Sequence, residues 1–196
     1  PDVLVRVGRA RVGRHIGYSL DGGKIWQQPA GVPNAKAMAG HIAVSSDGES
    51  WIWTPEHQVP FVTRDQGATW QACVGVPQDT RVVADRVNPT RFYGIALFDG
   101  KLFESVDGGA HFDERPLVLP GELPKRGGTG GDNRTGRGDD RGGQDRIYAT
   151  PGREGDLWLA AYDSLYHSSK GKDFERIPAV EQLHAFGFGK AAPGAP

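Results

Sequence analysis

Carboxylates are the side chains in this sequence with the spacing to do chemistry. Asp21, Asp65 and Asp107 recur in one frame: SLDGGKIW at Ser19–Trp26, TRDQGATW at Thr63–Trp70 and SVDGGAHF at Ser105–Phe112. A worn fourth copy, SSKGKDF at Ser168–Phe174, is one residue short and has Lys170 where the Asp would stand. Outside the frame lie Glu56, Asp85, Asp99, Glu154, Asp156 and Asp163. Two carboxyl groups held apart, one a protonated acid and one an ionised base, suit hydrolysis by a water placed between them. The repeated three are poor candidates for that work. In each copy the Asp is set to accept hydrogen bonds from backbone N–H groups ahead of it and close a tight turn. Ser19, Thr63 and Ser105 open the turn. Gly23, Gly67 and Gly109 take a backbone conformation that a side chain resists. Trp26, Trp70 and Phe112 then begin the next strand and pack under a neighbour. A carboxylate fixed in this way in every repeat is a hairpin staple.

The three Asp positions lie roughly 40–45 residues apart, about the length of one propeller blade. Strands alternate with turn signals along the whole chain, and no convincing amphipathic helix is present. The third repeat is the clearest. Arg81–Val87, Arg91–Leu97, Lys101–Val106 and His111–Arg115 read as four antiparallel strands in one meander, which is one propeller blade. His41–Ser45, Trp51–Thr54, Pro60–Thr63 and Thr69–Cys73 make the blade before it; Arg146–Ala149, Asp156–Ala161, Leu165–Ser168 and Asp173–Ile177 make the blade after it. The first blade has only Asp2–Val7, His15–Ser19 and Lys24–Gln27, without an innermost strand. A lone innermost-type strand, 183–189, follows the last blade. The expected fold is therefore all-β: a β-propeller of four-stranded antiparallel blades with Asp-box hairpins. About four blades are expected, over 2–28, 41–74, 81–115 and 146–177. The offset of one strand fits an arc cut from a larger propeller better than a closed four-bladed ring, because the first residues carry no turn or cap of their own.

Alternation of strand direction sorts the remaining carboxylates. Asp85, Glu154 and Asp156 flank innermost-to-second-strand turns, on the rim of the repeated Asp turns. Glu56 in TPEHQ, Asp99 in FDG and Asp163 in YDS flank second-to-third-strand turns on the opposite rim, where propellers usually bind ligands. The substrate-binding candidates are Glu56, His57, Phe98, Asp99, Tyr162 and Asp163. Asp99 and Asp163 also read as ordinary turn residues, and Glu56 beside His57 is the least stereotyped pair. Trp51, Trp53, Phe98, Tyr162 and Tyr166 are the aromatics nearest this rim that could stack on a sugar. Trp53, Trp158 and Tyr166, however, stand in strands and read as blade packing.

Composition narrows the partners. Lys and Arg total 23 against 24 Asp and Glu, so no net positive field favours nucleic acid or an anionic membrane. No apolar run has the length of a transmembrane helix. The six histidines show no paired ligand spacing and Cys73 stands alone, so no metal, cofactor or intramolecular disulfide is expected. PDVLVRVG has no signal-peptide layout and reads as a strand, as though the chain were cut from something longer. Residues 121–145, GELPKRGGTGGDNRTGRGDDRGGQD, form a Gly/Arg/Asp-rich insertion expected to be loosely ordered on the ligand rim. In so biased a run the Arg137-Gly138-Asp139 string carries no weight.

The repeated turn resembles the Asp-box of sialidases, sortilin-type propellers and several glycosidase families. Further stretches are more specific: DVLVRVG at Asp2–Gly8, ADRVNPTRFYG at Ala84–Gly94, ESVDGGAHF at Glu104–Phe112, PGREGDLWLA at Pro151–Ala160, LYHSSKGKDF at Leu165–Phe174 and FGFGKAAPGAP at Phe186–Pro196. In this order they resemble the C-terminal propeller of glycoside hydrolase family 74, over nearly the whole chain except 121–145. That resemblance implies two seven-bladed propellers facing across a cleft, and inverting hydrolysis of xyloglucan, a β-1,4-glucan, by two aspartates, one from each propeller. It implies a secreted or periplasmic parent protein, with the remaining blades and a second propeller as partners. Neither aspartate has a counterpart here, so no catalytic residue is carried over and the segment alone is expected to be inactive. The alternative is a non-catalytic Asp-box binding module of the sortilin or assembly-factor type. A sialidase is remote. Its chemistry needs an arginine triad and a Tyr–Glu pair, and Arg6, Arg81 and Arg153 do not stand in that context.

Overall fold

The computed structural model describes residues 2–11, 14–96, 99–121, 146–161, 164–181, 183 and 186–189. Its strands are β1 (Leu4–Val7), β2 (Ile16–Ser19), β3 (His41–Val44), β4 (Trp51–Thr54), β5 (Phe61–Thr63), β6 (Gln71–Ala72), β7 (Arg81–Ala84), β8 (Phe92–Ala96), β9 (Lys101–Ser105), β10 (Asp113–Pro116), β11 (Arg146–Ala149), β12 (Leu157–Ala161), β13 (Ser164–Ser168) and β14 (Glu175–Arg176). They form three four-stranded meanders, β3–β6, β7–β10 and β11–β14, preceded by the pair β1–β2. All neighbours are antiparallel. In the first blade the expected third strand is reduced to one bridge, Tyr18 to Gln27.

The apolar pattern looks continuous because the central strands are covered on both faces. In β8, Phe92 packs toward the β3–β6 sheet with Ile52, Val62, Phe103 and Phe112. Its neighbours Tyr93 and Ile95 face the other way, onto Leu157, Leu159, Tyr166 and Phe174 of the last blade. In β4, Ile52 joins the first of these cores, while Trp53 packs with Ile16, Val5 and Val7 of the first blade. Each core is therefore shared by two adjacent sheets, and no blade has a core of its own. The inner strands β3, β7 and β11 lie side by side, with β1 against β3. They line an inner cavity of about 900 Å³ together with Tyr148 and Phe188. Among the described residues no comparable contact joins β11 back to β1, so the sheets form an open succession.

The repeated Asp turns have one hydrogen-bond plan. Ser105 Oγ donates to Asp107 Oδ1 at 2.9 Å and accepts from Gly109 N at 2.9 Å; Asp107 Oδ1 also accepts from Ala110 N and His111 N at 3.0 Å. Asp21 does the same with Lys24 N and Ile25 N, and Asp65 with Thr69 N. These bonds occupy N–H groups that a longer fourth strand would need. Pairing therefore begins at Gln71 and Asp113 rather than at Thr69 and His111, and the Lys24–Gln27 strand contracts to Gln27. Gly109 sits at φ +89, and a Cβ there would lie 2.3 Å from Ile52 Cδ1 of the preceding blade. The turn is thus also a blade-to-blade contact.

Links repeat the same contact. Val74, leaving one blade, bridges His111 beside the next turn, and Val118 bridges Asp173 one blade further on. Residues 183 and 186–189 carry no strand. Phe186 instead packs on Tyr148 and Trp158, at centroid distances of 5.4 and 5.3 Å. Of the insertion only Gly121 is described.

Candidate functional site

Second-to-third-strand turns and blade-to-blade links meet on the rim opposite the repeated Asp turns. The TPEHQ turn between β4 and β5 is the centre of the candidate site. Glu56 N donates to Met38 O at 3.1 Å, which ties the turn to the link from the first blade. Its carboxylate accepts from Arg9 Nη2, on the turn between β1 and β2. His57 has φ +59, a conformation uncommon without glycine, and it is held there from the next link: His57 N donates to Asp79 Oδ1 at 2.7 Å. The ring Nδ1 lies 3.7 Å from Asp79 Oδ2. Asp79 N in turn donates to Gln58 O, and Asn34 Nδ2 to Gln58 Oε1 at 2.6 Å. Asn34, Lys36, Met38, Glu56, His57 and Gln58 line a cleft of about 500 Å³.

This arrangement can bind but is poorly equipped to catalyse. The His57 side chain is 87% exposed, so it can donate or accept from either face of a polar ligand. Glu56 is engaged by the Arg9 guanidinium. Asp79 is spent on His57. Asp99 is exposed, and no hydrogen bond or ion pair joins it to Glu56 or His57 among the described residues. Phe98, Tyr162 and Asp163 lie outside the described residues. Among the described residues no three His, Cys, Asp or Glu side chains converge as a metal set.

Of the stacking candidates, Trp51 and Trp53 are fully buried and Tyr166 nearly so. Their strands have neighbouring sheets on both faces, so they pack the blades and present no platform. Trp51 Nε1 donates to Gly48 O and Trp53 Nε1 to Ala39 O, each at 2.8 Å.

The Asp turns are likewise committed. Asp65 is lowered to about 2 by the Thr69 hydroxyl and backbone N–H and by Thr63. At Asp107 burial pushes upward, but the His111 N–H and ring and the Ser105 hydroxyl outweigh it and hold the carboxyl at about 2. Such groups stay ionised and give up no proton at neutral pH.

No protein-family model matches the chain. A xyloglucanase of a Paenibacillus species is 34% identical over 99% of this chain and 18% of its own length. A xyloglucanase of Acetivibrio thermocellus is 37% identical over 92% of this chain and 19% of its own length. The crystal structure of the GH74 xyloglucanase from Xanthomonas campestris superposes with a TM-score of 0.70 and 32% identity, over 88% of this chain and 23% of that one. The chain is homologous to a segment of the GH74 xyloglucanases. It spans less than a fifth of the length of the two curated relatives. Its all-β sheets share the fold of the matching part of that structure.

Sequence reasoning singles out Glu56 and His57 because they are the least stereotyped of the turn residues on this rim. It missed Arg9 and Asp79, which arrive from other loops. It placed Asp85 beside an inner turn but not its partners: the buried carboxylate accepts from Val87 N, Asn88 N and, across the blade boundary, Gly155 N, each at 2.8 Å. A signal was present in the DRVNPT turn, where an Asp precedes two N–H groups within reach. On the last blade the sequence marks Asp156 but not its neighbours. Asp156 accepts from Thr150 Oγ1 and lies 3.0 Å from His167 Nε2, with Trp158 stacked on His167 at 4.2 Å.

Proposed function

We propose that this chain is an arc of a seven-bladed propeller belonging to a xyloglucan-cleaving, inverting glycoside hydrolase. The two catalytic aspartates then lie outside these 196 residues, and the remaining blades and a second propeller complete the cleft. The observation that carries the reading is the match of nearly the whole chain to proteins named xyloglucanase whose own length it fills only in small part. The open succession of sheets is in keeping with an arc. So is the state of the described carboxylates: inversion needs a raised acid and a free base roughly 6–10 Å apart, whereas the Asp turns and Glu56 are committed to donors. On this reading Glu56, His57 and Gln58 form part of the polysaccharide-binding wall. A polymeric substrate also makes the parent protein secreted or periplasmic.

Calorimetric titration of the chain with xyloglucan oligosaccharides tests the wall. Binding is expected, and His57→Ala should weaken it about tenfold, the loss of one well-placed hydrogen bond. An unchanged affinity in the folded variant would remove the TPEHQ turn from the site.

A further inference from the structure

His41, Arg81 and Arg146 are the first residues of β3, β7 and β11. Each opens the innermost strand of its blade, directly after a link. The three strands are neighbours, so the blade repeat brings an imidazole and two guanidiniums to the same end of adjacent inner strands. That end is on the rim that carries Glu56, His57 and Asp79. All three side chains are half-buried rather than splayed into solvent. The groups sense one another through space. Burial, and then the charges of Arg81 and Arg146, hold the His41 imidazole down to about 4, with Asp79 as the opposing carboxylate. Asp79 is already engaged with the His57 N–H.

Arg146 supplies a second, independent observation. Its Nε is buried and has no hydrogen-bond partner. A buried N–H donor normally has one, and leaving it unpaired is costly. Arg91 Nε and Arg14 Nη1 are also unpartnered. Arg91, however, lies 3.7 Å from Glu104 and has its charge balanced there. Arg81 has a further interaction of its own, and of the three unpartnered donors Arg146 Nε is the one at the head of an inner strand.

We propose that His41, Arg81 and Arg146 form an oxyanion-binding site at the rim mouth of the inner channel. Guanidinium forks match the paired oxygens of a carboxylate or sulfate, and these charge-assisted bonds are the strong ones. The ligand class is an oxyanion, either free in solution or carried as the carboxylate of an acidic sugar. The site does not rest on the xyloglucan reading, because a neutral glucan would leave it unfilled.

The test is a ¹H–¹⁵N titration of the arginine Nε–Hε signals of the whole chain. Sodium sulfate, sodium glucuronate and glucose are the three ligands, with ionic strength held constant by sodium chloride. The expected result is a saturable shift of the Arg146 signal with sulfate and glucuronate, none with glucose, and a dissociation constant on the order of 1 mM. Arg146→Lys keeps the charge and loses the fork, and should bind about tenfold more weakly. His41→Gln tests the third corner, with a smaller loss. A shift with glucuronate alone assigns the site to acidic sugars; a shift with both assigns it to free oxyanions as well. If Arg146→Lys fails to fold, the wild-type titration with its glucose control still decides the matter. An Arg146 signal that does not saturate with either anion, or that follows chloride equally, overturns the proposal.

Discussion

Asp85 should be the most consequential carboxylate for stability, although it touches no candidate ligand site. It is fully buried, and its two oxygens accept three backbone N–H groups at 2.8 Å. Two of these donors, Val87 N and Asn88 N, belong to a surface turn and can turn to water when the carboxylate is removed. The third, Gly155 N, comes from the next blade and is buried, so it cannot. Leaving a buried donor unpaired costs about 1–3 kcal/mol, and each lost turn bond adds about 0.5–1.5 kcal/mol. Asp85→Ala should therefore lose about 2–6 kcal/mol. Asp85→Asn keeps one acceptor oxygen but turns an NH₂ toward another donor, and should fall between the two. Urea unfolding followed by tryptophan fluorescence gives the free energies. Hydrogen exchange locates the effect: Gly155 and β11–β12 should exchange faster while β3–β5 does not. An Asp85→Ala variant within about 0.5 kcal/mol of wild type, the range of an ordinary surface substitution, would refute the reasoning. If that variant does not fold, Asp85→Asn provides the measurement.

Two further predictions concern ionisation. Asp65 and Asp107 are lowered from 3.8 to about 2 in the folded chain. A depressed carboxyl contributes stability that is complete above its unfolded value and disappears as pH falls through the folded one. Melting temperature should accordingly drop between pH 4 and pH 2, and the Asp65→Asn and Asp107→Asn variants should show a shallower drop over this window; an identical slope in both variants contradicts the assignment. Burial pushes the Cys73 thiol up to about 12, so a thiol reagent at pH 8 should label it only as fast as the chain unfolds. Rapid labelling of the native chain would place Cys73 outside the core.

The repeat was legible because a staple is local. Ser, Asp, Gly and an aromatic act on each other within eight residues, and sequence alone displays that spacing. Strand ends were less legible, because the same Asp that marks the turn also consumes the N–H groups that would extend β6 and β10. Trp51 is unavailable as a stacking platform for a topological reason. Trp51 and Trp53 share one face of β4, and the first blade covers that face. Contacts between blades were out of reach: Asp85 and Gly155 are 70 positions apart, and Arg9 and Glu56 are 47 apart. The group at the heads of β3, β7 and β11 was visible in principle as the first residue of each inner strand. It needed the sheet order to gain meaning.

The most direct test of the central claim is reducing-end release from xyloglucan by the purified 196-residue chain, measured on a sample shown to be folded. The account predicts no release above buffer, because it assigns the catalytic aspartates to parts of the proposed enzyme beyond this arc. Sustained release would contradict it and would place the acid and base on this chain, with Glu56, Asp99 and Asp163 as the first residues to substitute.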